Sequence, residues 1–388
     1  MSAPWAVPRP APYGSPAPDR ADVIVIGGGP SGLATALCLA QAGTDVVLLE
    51  ARDDFGLGFA ARIAGAVALG TVEHPNRLVA GLGHDDTRGL FAFTRANLAL
   101  SRDWLDAAPT GGVYAAGMPG EDQDLTASAH LLAQLGVQAT PVEPSLVRDE
   151  TGAVGLGGGL LLSEEASVIP ASALHRLADL AAAQGARLHT GHRVVRVDEA
   201  DELTVHLAGR SLSSQVVVWA AGAACQRLHP DFADVVWPVR IQSVAGSDPG
   251  VPAWQPHGHA QHGHLTFWRN PDGPLSLTGC RWATPHLEVG ETDEHTLSPA
   301  VDAKLRGMFD RLWPGQTVSH AWAGIAAFTC DGLPLLGPLP GHPRQVACVG
   351  YGGADWSFAL RAGHAVAQGL LTGDSTGVPH RFSLARFT

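Results

Sequence analysis

Gly27, Gly29 and Gly32 stand in the spacing G-x-G-x-x-G, and Glu50 lies eighteen residues beyond the last of them. Gly27 permits a tight turn, Gly29 lets the backbone approach a pyrophosphate, and Gly32 lets the following helix pack close to the preceding strand. Glu50 is suited to accept hydrogen bonds from a ribose hydroxyl, and its charge repels a 2′-phosphate. The chemistry implied is the holding of a dinucleotide. A second glycine turn comes over three hundred residues later, in VGYGGADWSFALRAG, Val349 to Gly363. There an apolar strand end runs into Gly352, Gly353 and Ala354 and then into a helix. A helix N-terminus carries about half a positive charge and free N–H donors, so it suits a second electron-rich group. A third cluster, HGHAQHGHL, contains His257, His259, His262 and His264. Imidazoles at that spacing invite a metal, but no carboxylate or cysteine completes the set, and Gly and Pro surround it. It reads as a solvated loop, with no metal expected.

The elements that position these residues follow from pattern. Val23–Ile26 is a short apolar run, as a buried parallel strand requires. A helix spans about Ser31 to Gln41 with Leu33, Leu37 and Ala40 on one face, and Gly43 ends it. Val46–Leu49 is a second strand, closed by Glu50. The result is a β-α-β unit. Asp85 to Ala108 reads as a long helix capped by Asp85 or Asp86, with Phe93, Ala96, Leu100 and Trp104 on one face. A helix over ASALHRLADLAAAQGA precedes strands near Arg193–Val197, Leu203–Leu207 and Val216–Trp219. LTFWRNPDGPLSLTGCRWATP, Leu265 to Pro285, alternates as a hairpin around Pro271–Gly273. Gln345–Val349 is a last buried strand and Asp355–Leu371 a last helix. Dinucleotide-fold character thus comes in three pieces separated by two of another kind. The expected units are an extended Pro-rich arm at 1–20, a cofactor domain made of 21–75, 166–232 and 322–388, and a substrate domain made of 76–165 and 233–321.

Composition narrows the function. The 388 residues are 45% hydrophobic and carry a formal charge of −12, with Lys304 the single lysine. Nucleic acid and anionic membrane both need clustered positive charge, so neither is an expected partner. No apolar run reaches the length of a membrane span. Five cysteines, an odd number in no zinc spacing, suggest a reducing, cytoplasmic compartment. The arm carries Pro4, Pro8, Pro10, Pro12, Pro16 and Pro18 and lacks the basic start and apolar centre of a secretory signal.

ADVIVIGGGPSGLATALCLAQAGTDVVLLEA resembles the N-terminus of the FAD-dependent oxidases of the D-amino-acid oxidase and glycine oxidase superfamily. GLGFAARIAGAV is similar to the loop that runs there beside the pyrophosphate and flavin: Arg62 and Gly65 match its Arg-x-x-Gly, while Ile63 departs from the usual Asn. VVVWAAGAACQRL, with Ala221 and Gly222, resembles the strand-turn that returns to the cofactor, and HRVVRV the strand whose Val194 backbone meets the adenine. WAGIAAFTCDGLPLLGPL resembles the late W-x-G…T-x-D segment, with Asp331 and Gly332. The last turn reads much like that of the gamma-glutamylputrescine oxidase type, the amine-oxidising branch. The resemblance implies an α/β fold: a discontinuous Rossmann-like FAD-binding domain of the glutathione-reductase type with an inserted α+β substrate domain on a mixed or antiparallel sheet. Its cofactor set is Gly27, Gly29, Pro30, Ser31, Gly32, Glu50, Ala51, Arg52, Arg62, Ile63, Ala64, Val194, Ala221, Gly222, Asp331, Gly332, Gly352, Gly353, Ala354, Asp355 and Trp356. Some relatives attach FAD through a cysteine just before the T-x-D. Cys330 lies inside that motif instead, so non-covalent FAD is expected.

The two glycine turns then grip opposite ends of one cofactor. Backbone donors of Gly352, Gly353 and Ala354 would face the flavin edge that becomes negative on reduction, worth about 1–2 kcal/mol if partly buried. Asp355 is expected to cap the last helix, with a substrate ammonium as its other candidate partner. The implied reaction takes hydride from a C–H bond next to an amine nitrogen, with O2 as acceptor and hydrogen peroxide as co-product. Glycine-oxidising relatives carry an Arg after the W-x-G, where this chain has Ile325, Ala326 and Ala327. A simple α-amino acid is therefore disfavoured, and a small amine or amino-acid-derived molecule is expected. With these three on the ring wall, Ala326→Arg should improve binding of α-amino acids. Tyr351 and Trp356 are the leading cavity-wall residues, followed by Trp268, Arg269, Arg281 and Trp282 of the hairpin. The alternatives are a dehydrogenase of the same fold, an amino-acid oxidase and a flavin-binding protein without turnover.

Overall fold

The computed structural model describes residues 3–6, 9, 13–247, 256–270 and 273–387. Pro8, Pro10 and Pro12 of the arm, and Pro271 with Asp272 at the hairpin tip, lie outside the described residues. Along the Arg20–Ile26 strand, Val23 and Val25 enter one apolar cluster and Ile24 and Ile26 another. Burial on both faces is why that run shows no polar alternation. The strand pairs in parallel with Val46–Leu49 on one side and Arg210–Trp219 on the other. The whole sheet runs Leu335–Leu339, His342–Val349, Arg210–Trp219, Arg20–Ile26, Val46–Leu49, Arg187–His189. Val194–Glu199 and Leu203–Leu207 form an antiparallel extension from Arg210–Trp219. Arg187–His189 is a strand that the sequence pattern does not reveal, because it is three residues long.

Helices cover one face. They are α1 (Pro30–Gln41), α2 (His84–Leu105), α4 (Pro170–Ala183) and α6 (Asp355–Thr372), and their apolar sides join the Val23/Val25 cluster. Helix α3 (Glu121–Gln134) adds Leu125 and Leu132 to the same cluster, while α5 (Pro299–Leu312) belongs to a separate one. The long helix α2 takes its N-cap from Gly83 at φ 84°, not from Asp85 or Asp86. Those acids sit in its first turn, and Asp86 pairs with Arg381. The expected face also shifts: Phe93 is buried, but Leu90, Thr94, Asn97, Leu98 and Ser101 supply the rest, and Ala96, Leu100 and Trp104 are half-buried.

A second sheet runs Val318–Thr329, Val236–Gly246, Leu275–Gly279, Leu265–Arg269, His257–Ala260, Gly112–Ala115, Gly159–Leu162, Thr140–Val142. It is antiparallel except where His257–Ala260 runs parallel to Gly112–Ala115. Helix α5 packs on its Val244, Phe267, Leu275 and Leu277. Trp322–Thr329, read from sequence with the cofactor domain, belongs by pairing to this second sheet. Among the described residues, no helix is long and apolar enough to cross a membrane.

Candidate active site

A cavity of about 690 Å³ runs across the carboxyl ends of the first sheet's strands. One end is bounded by Gly27, Gly28, Gly29, Pro30 and Ser31. A Cβ on Gly27 would lie 2.3 Å from the Ala220 carbonyl oxygen, and one on Gly32 would lie 2.0 Å from that of Gly27. A Cβ on Gly29 would meet nothing within 4 Å. The outer glycines therefore serve the chain's own packing, and the middle one faces open space. Gly32 is accordingly buried behind the turn and does not line the cavity. Pro30 starts α1, Gly29 is its N-cap, and no side chain caps it. Its first amides are left to a ligand.

Glu50 lines the same end, and its carboxylate accepts from the amides of Gly28 (2.7 Å) and Arg52 (2.8 Å). Burial pushes its pKa up against those two amides. Ala51, Arg52, Val194, Ala221 and Gly222 also line the cavity. Arg52 holds Glu294 through two bonds, at 2.8 and 3.0 Å, and Arg62 reaches the same carboxylate at 3.1 Å. Arg62 thus lies outside the cavity, with its other donors on the carbonyls of Ala323 (3.0 Å) and Leu57 (3.4 Å). Burial lowers its pKa and Glu294 opposes that. Glu294 is a residue that sequence reasoning missed. It stands in an irregular stretch without a motif, and only the fold brings it to two arginines.

At the far end the cavity meets Ile325, Ala327, Cys348, Gly350, Tyr351 and Asp355. A second cavity, of about 240 Å³, begins there. Its lining includes Ile63, Ala64, Gly352, Gly353, Ala354 and Trp356, with Phe328 beside Gly352, and also His259, His262, His264, Thr266 and Arg281. The turn before α6 therefore stands between the two cavities. Gly352 and Gly353 have φ 60° and 91°, which only glycine adopts freely. The expected three amide donors reduce to one. Gly352 N–H donates to Ala327 O and Ala354 N–H to Tyr351 O, both at 3.0 Å, so among the described residues only Gly353 N–H lacks a backbone acceptor.

Asp355 does not cap α6. The N-cap is Ala354, without a side-chain cap bond, and the Asp355 carboxyl faces the first cavity. Burial pushes it up to about 7. Tyr351 turns its hydroxyl toward Cys348 Sγ, at 3.4 Å, rather than toward the second cavity. The Cys348 thiol is itself pushed up to about 11 by burial. Arg281 lies 4.8 Å over the Phe328 ring and donates to the Leu287 carbonyl at 2.8 Å. The nearby Glu288 is taken by Arg240 at 2.6 Å.

The histidine stretch is a loop only in its second half, where His262 and His264 stand in a turn and His264 is exposed. His257–Ala260 is an interior strand, and both of its histidines are buried. His257 Nε2 meets Glu165 at 2.9 Å, and the same carboxylate accepts from the Tyr114 hydroxyl and the Leu69 amide. His259 Nδ1 lies 3.2 Å from Thr266 Oγ1, while its Nε2 has no hydrogen-bond partner among the described residues. Burial holds His259 well below its ordinary pKa, so the ring is neutral. His262 joins His74 and Glu121 within 4.8 Å. Glu121 is saturated there, because it accepts from His74 Nε2 and from the amides of Gly117, Met118, Gln261 and His262. The carboxylates that sequence spacing failed to supply come from distant helices and loops.

Other expected site residues stand elsewhere. Trp268 is buried against Trp5 and Trp322, and Arg269 lines neither cavity. Trp282 is exposed, with Lys304 over its ring. Asp331 and Gly332 are exposed and outside both cavities, and Asp331 is paired with Arg386 at 2.7 Å. Ala326 is fully buried and points away from the cavity that Ile325 and Ala327 line, as strand alternation dictates. An arginine there would enter the core.

An uncapped helix start, a glycine facing open space, a half-buried acid ending the second strand and a cleft that continues to a second helix start form a donor set that fits FAD. The backbone superposes on glycine oxidase from Geobacillus kaustophilus with a TM-score of 0.79, covering 95% of this chain and 99% of that one at 21% identity. It superposes on L-proline dehydrogenase from P. horikoshii with a TM-score of 0.80, over 96% and 98% of the chains, at 18% identity. In sequence, the chain is 24% identical to gamma-glutamylputrescine oxidoreductase of Escherichia coli (strain K12), over 91% of this chain and 84% of the relative. It is also 24% identical to the probable oxidoreductase OrdL of Rhizobium meliloti (strain 1021), over 93% and 85%. The model of the DAO family, described as FAD dependent oxidoreductase, matches residues 22–369, and the chain belongs to that family of FAD-dependent enzymes.

Proposed function

We propose that the protein is an FAD-dependent amine oxidase. Its substrate is a small amine or amino-acid-derived molecule, its product the imine, and its final electron acceptor O2, with hydrogen peroxide released. One observation carries this reading: the turn before α6 is shared by the cofactor cavity and a smaller, mostly apolar cavity whose lining includes the neutral ring of His259. Bound FAD supplies the two-electron acceptor for a C–H bond next to nitrogen. The chain's own residues hold, orient and desolvate. Gly27 to Ser31 and the start of α1 hold the pyrophosphate, Glu50 the ribose, and Val194 flanks the adenine. Gly353 N–H and the start of α6 face the other end.

In the second cavity, Ile63, Ala64, Phe328 and Trp356 form an apolar wall. Such surroundings favour the uncharged form of an amine, the form that gives up hydride. The neutral His259 ring in the lining places no fixed charge beside the amine. Arg281, held over Phe328 with no carboxylate partner among the described residues, faces a polar group at the substrate's other end. Similarity to an oxidoreductase of gamma-glutamylputrescine supports an amine, and the lack of an arginine at 325–327 supports one without a clamped α-carboxylate.

The test is anaerobic. Purified, FAD-loaded protein is mixed with a panel of primary and secondary amines and amino acids, and the flavin band is followed. Bleaching by an amine, followed by peroxide release on admitting air, is the expected result. Bleaching by none of the panel overturns amine oxidation. Bleaching without reoxidation by air overturns the oxidase assignment and leaves a dehydrogenase.

A further inference from the structure

Three consecutive carbonyls, those of Ala60, Ala61 and Arg62, each accept a hydrogen bond from a tryptophan indole. The donors are Trp356 to Ala60 at 3.0 Å, Trp5 to Ala61 at 2.9 Å and Trp322 to Arg62 at 2.7 Å. The donors come from three remote parts of the chain: the first turn of α6, the N-terminal arm and the Val318–Thr329 strand. All three indoles are buried. Phe59–Ala61 is a single 3-10 turn, too short to satisfy the carbonyls that follow its first residue. The indoles fill that need.

The position of this segment makes the arrangement functional. Phe59 and Ala60 line the cofactor cavity, and Ile63 and Ala64 line the second one. The stretch is therefore the second boundary between the cavities, facing the turn before α6. Trp5 is wedged edge-on between Trp268 and Trp322, at 5.1 and 5.2 Å between ring centres. The arm then touches the same boundary region twice more. The Arg9 amide donates to Asp54 at 2.5 Å, and Asp54 also accepts from the Gly56 amide at 3.0 Å. Tyr13 packs 5.5 Å from Phe55, which lines the cofactor cavity.

We propose that the N-terminal arm is a strap on the cofactor site, and that Trp5 is a positioning residue acting through the Ala61 carbonyl on the boundary between the cavities. None of the described arm residues lines either cavity, so the arm's effect is exerted through residues 54–61. The proposal rests on FAD binding and not on the identity of the amine.

Trp5→Phe keeps a ring in the slot and removes the indole N–H. FAD is titrated into cofactor-stripped protein, and the dissociation constant is read from quenching of flavin fluorescence. The visible band shape of the bound flavin and the melting temperature of the stripped protein are recorded beside it. We expect the dissociation constant to rise about three- to tenfold, the worth of one hydrogen bond, and the band shape to change. The stripped protein should melt within about 2 °C of wild type, as loss of one hydrogen bond in a chain of this length implies. An unchanged dissociation constant and band shape overturn the proposal, whatever the melting temperature does. A second form avoids refolding altogether. A protease site is inserted between Arg9 and Tyr13, and the loaded, folded protein is cut. Faster FAD release after cutting supports the strap, and an unchanged release rate overturns it.

Discussion

Asp355 is a carboxyl that the site pushes up into the neutral range. In an unfolded chain its carboxyl loses a proton near 3.8, whereas in the cleft burial holds it to about 7. Between those values the folded form binds the extra proton, so the stability of the cofactor-free protein falls as pH rises from about 4 to about 7 and then levels off. At 1.36 kcal/mol per unit the swing is at most about 4 kcal/mol, and solvent in the cleft reduces it. Asp355→Asn should flatten that slope in urea midpoints measured across pH; an unaltered slope would refute the assignment. Residues whose role depends on local backbone, such as Gly27, Gly29 and Glu50, were legible from sequence because turn, strand and helix lie within thirty positions. Asp331 was not, because its partner Arg386 comes from the far C-terminus. His259 was not, because a two-residue alternation between glycines does not distinguish an interior strand from a loop.

Where α1 crosses α6, the limiting position is Gly363. A Cβ there would lie 2.4 Å from the Ser31 carbonyl oxygen and 2.7 Å from Ala34 Cβ. Gly363→Ala must part the two helices, which should cost about 1–3 kcal/mol in urea unfolding and weaken FAD binding, since Ser31 stands at the cofactor end of α1. The start of α3 holds a different joint. Burial opposes ionisation of Glu121, but His74 and the amides of His262 and Gly117 outweigh it and hold the carboxyl at about 2. Its contribution is present above about 4.5 and is lost as pH falls through about 2. Glu121→Ala should therefore destabilise by about 3 kcal/mol or more at neutral pH, and by much less near pH 2. Elements with strong period, α1, α2 and α6, were readable from apolar spacing. The sheet membership of Val318–Thr329 was not, because pairing partners eighty residues away leave no local trace. The cap of α2 was misread because Asp85 has the usual cap chemistry, while Gly83 supplies the backbone angle.

At the scale of the molecule, the cofactor cavity is bounded by both sheets: Gly27 and Glu50 follow strands of the first, and Ile325 and Ala327 lie on the second. FAD that binds only the folded form stabilises by mass action, about 2.7 kcal/mol at one hundred times its dissociation constant. Stripped protein should melt several degrees lower and regain the difference on adding FAD, as calorimetry with and without the cofactor would register. The contact of α1 with α6 has a consequence for biosynthesis. The first glycine turn leaves the ribosome over three hundred residues ahead of the helix that covers α1 and of the turn before it. A nascent chain halted before residue 350 carries an unshielded α1 and half a binding site. Loading with FAD therefore waits for α6, and ribosome-stalled fragments should retain no flavin until that helix has emerged.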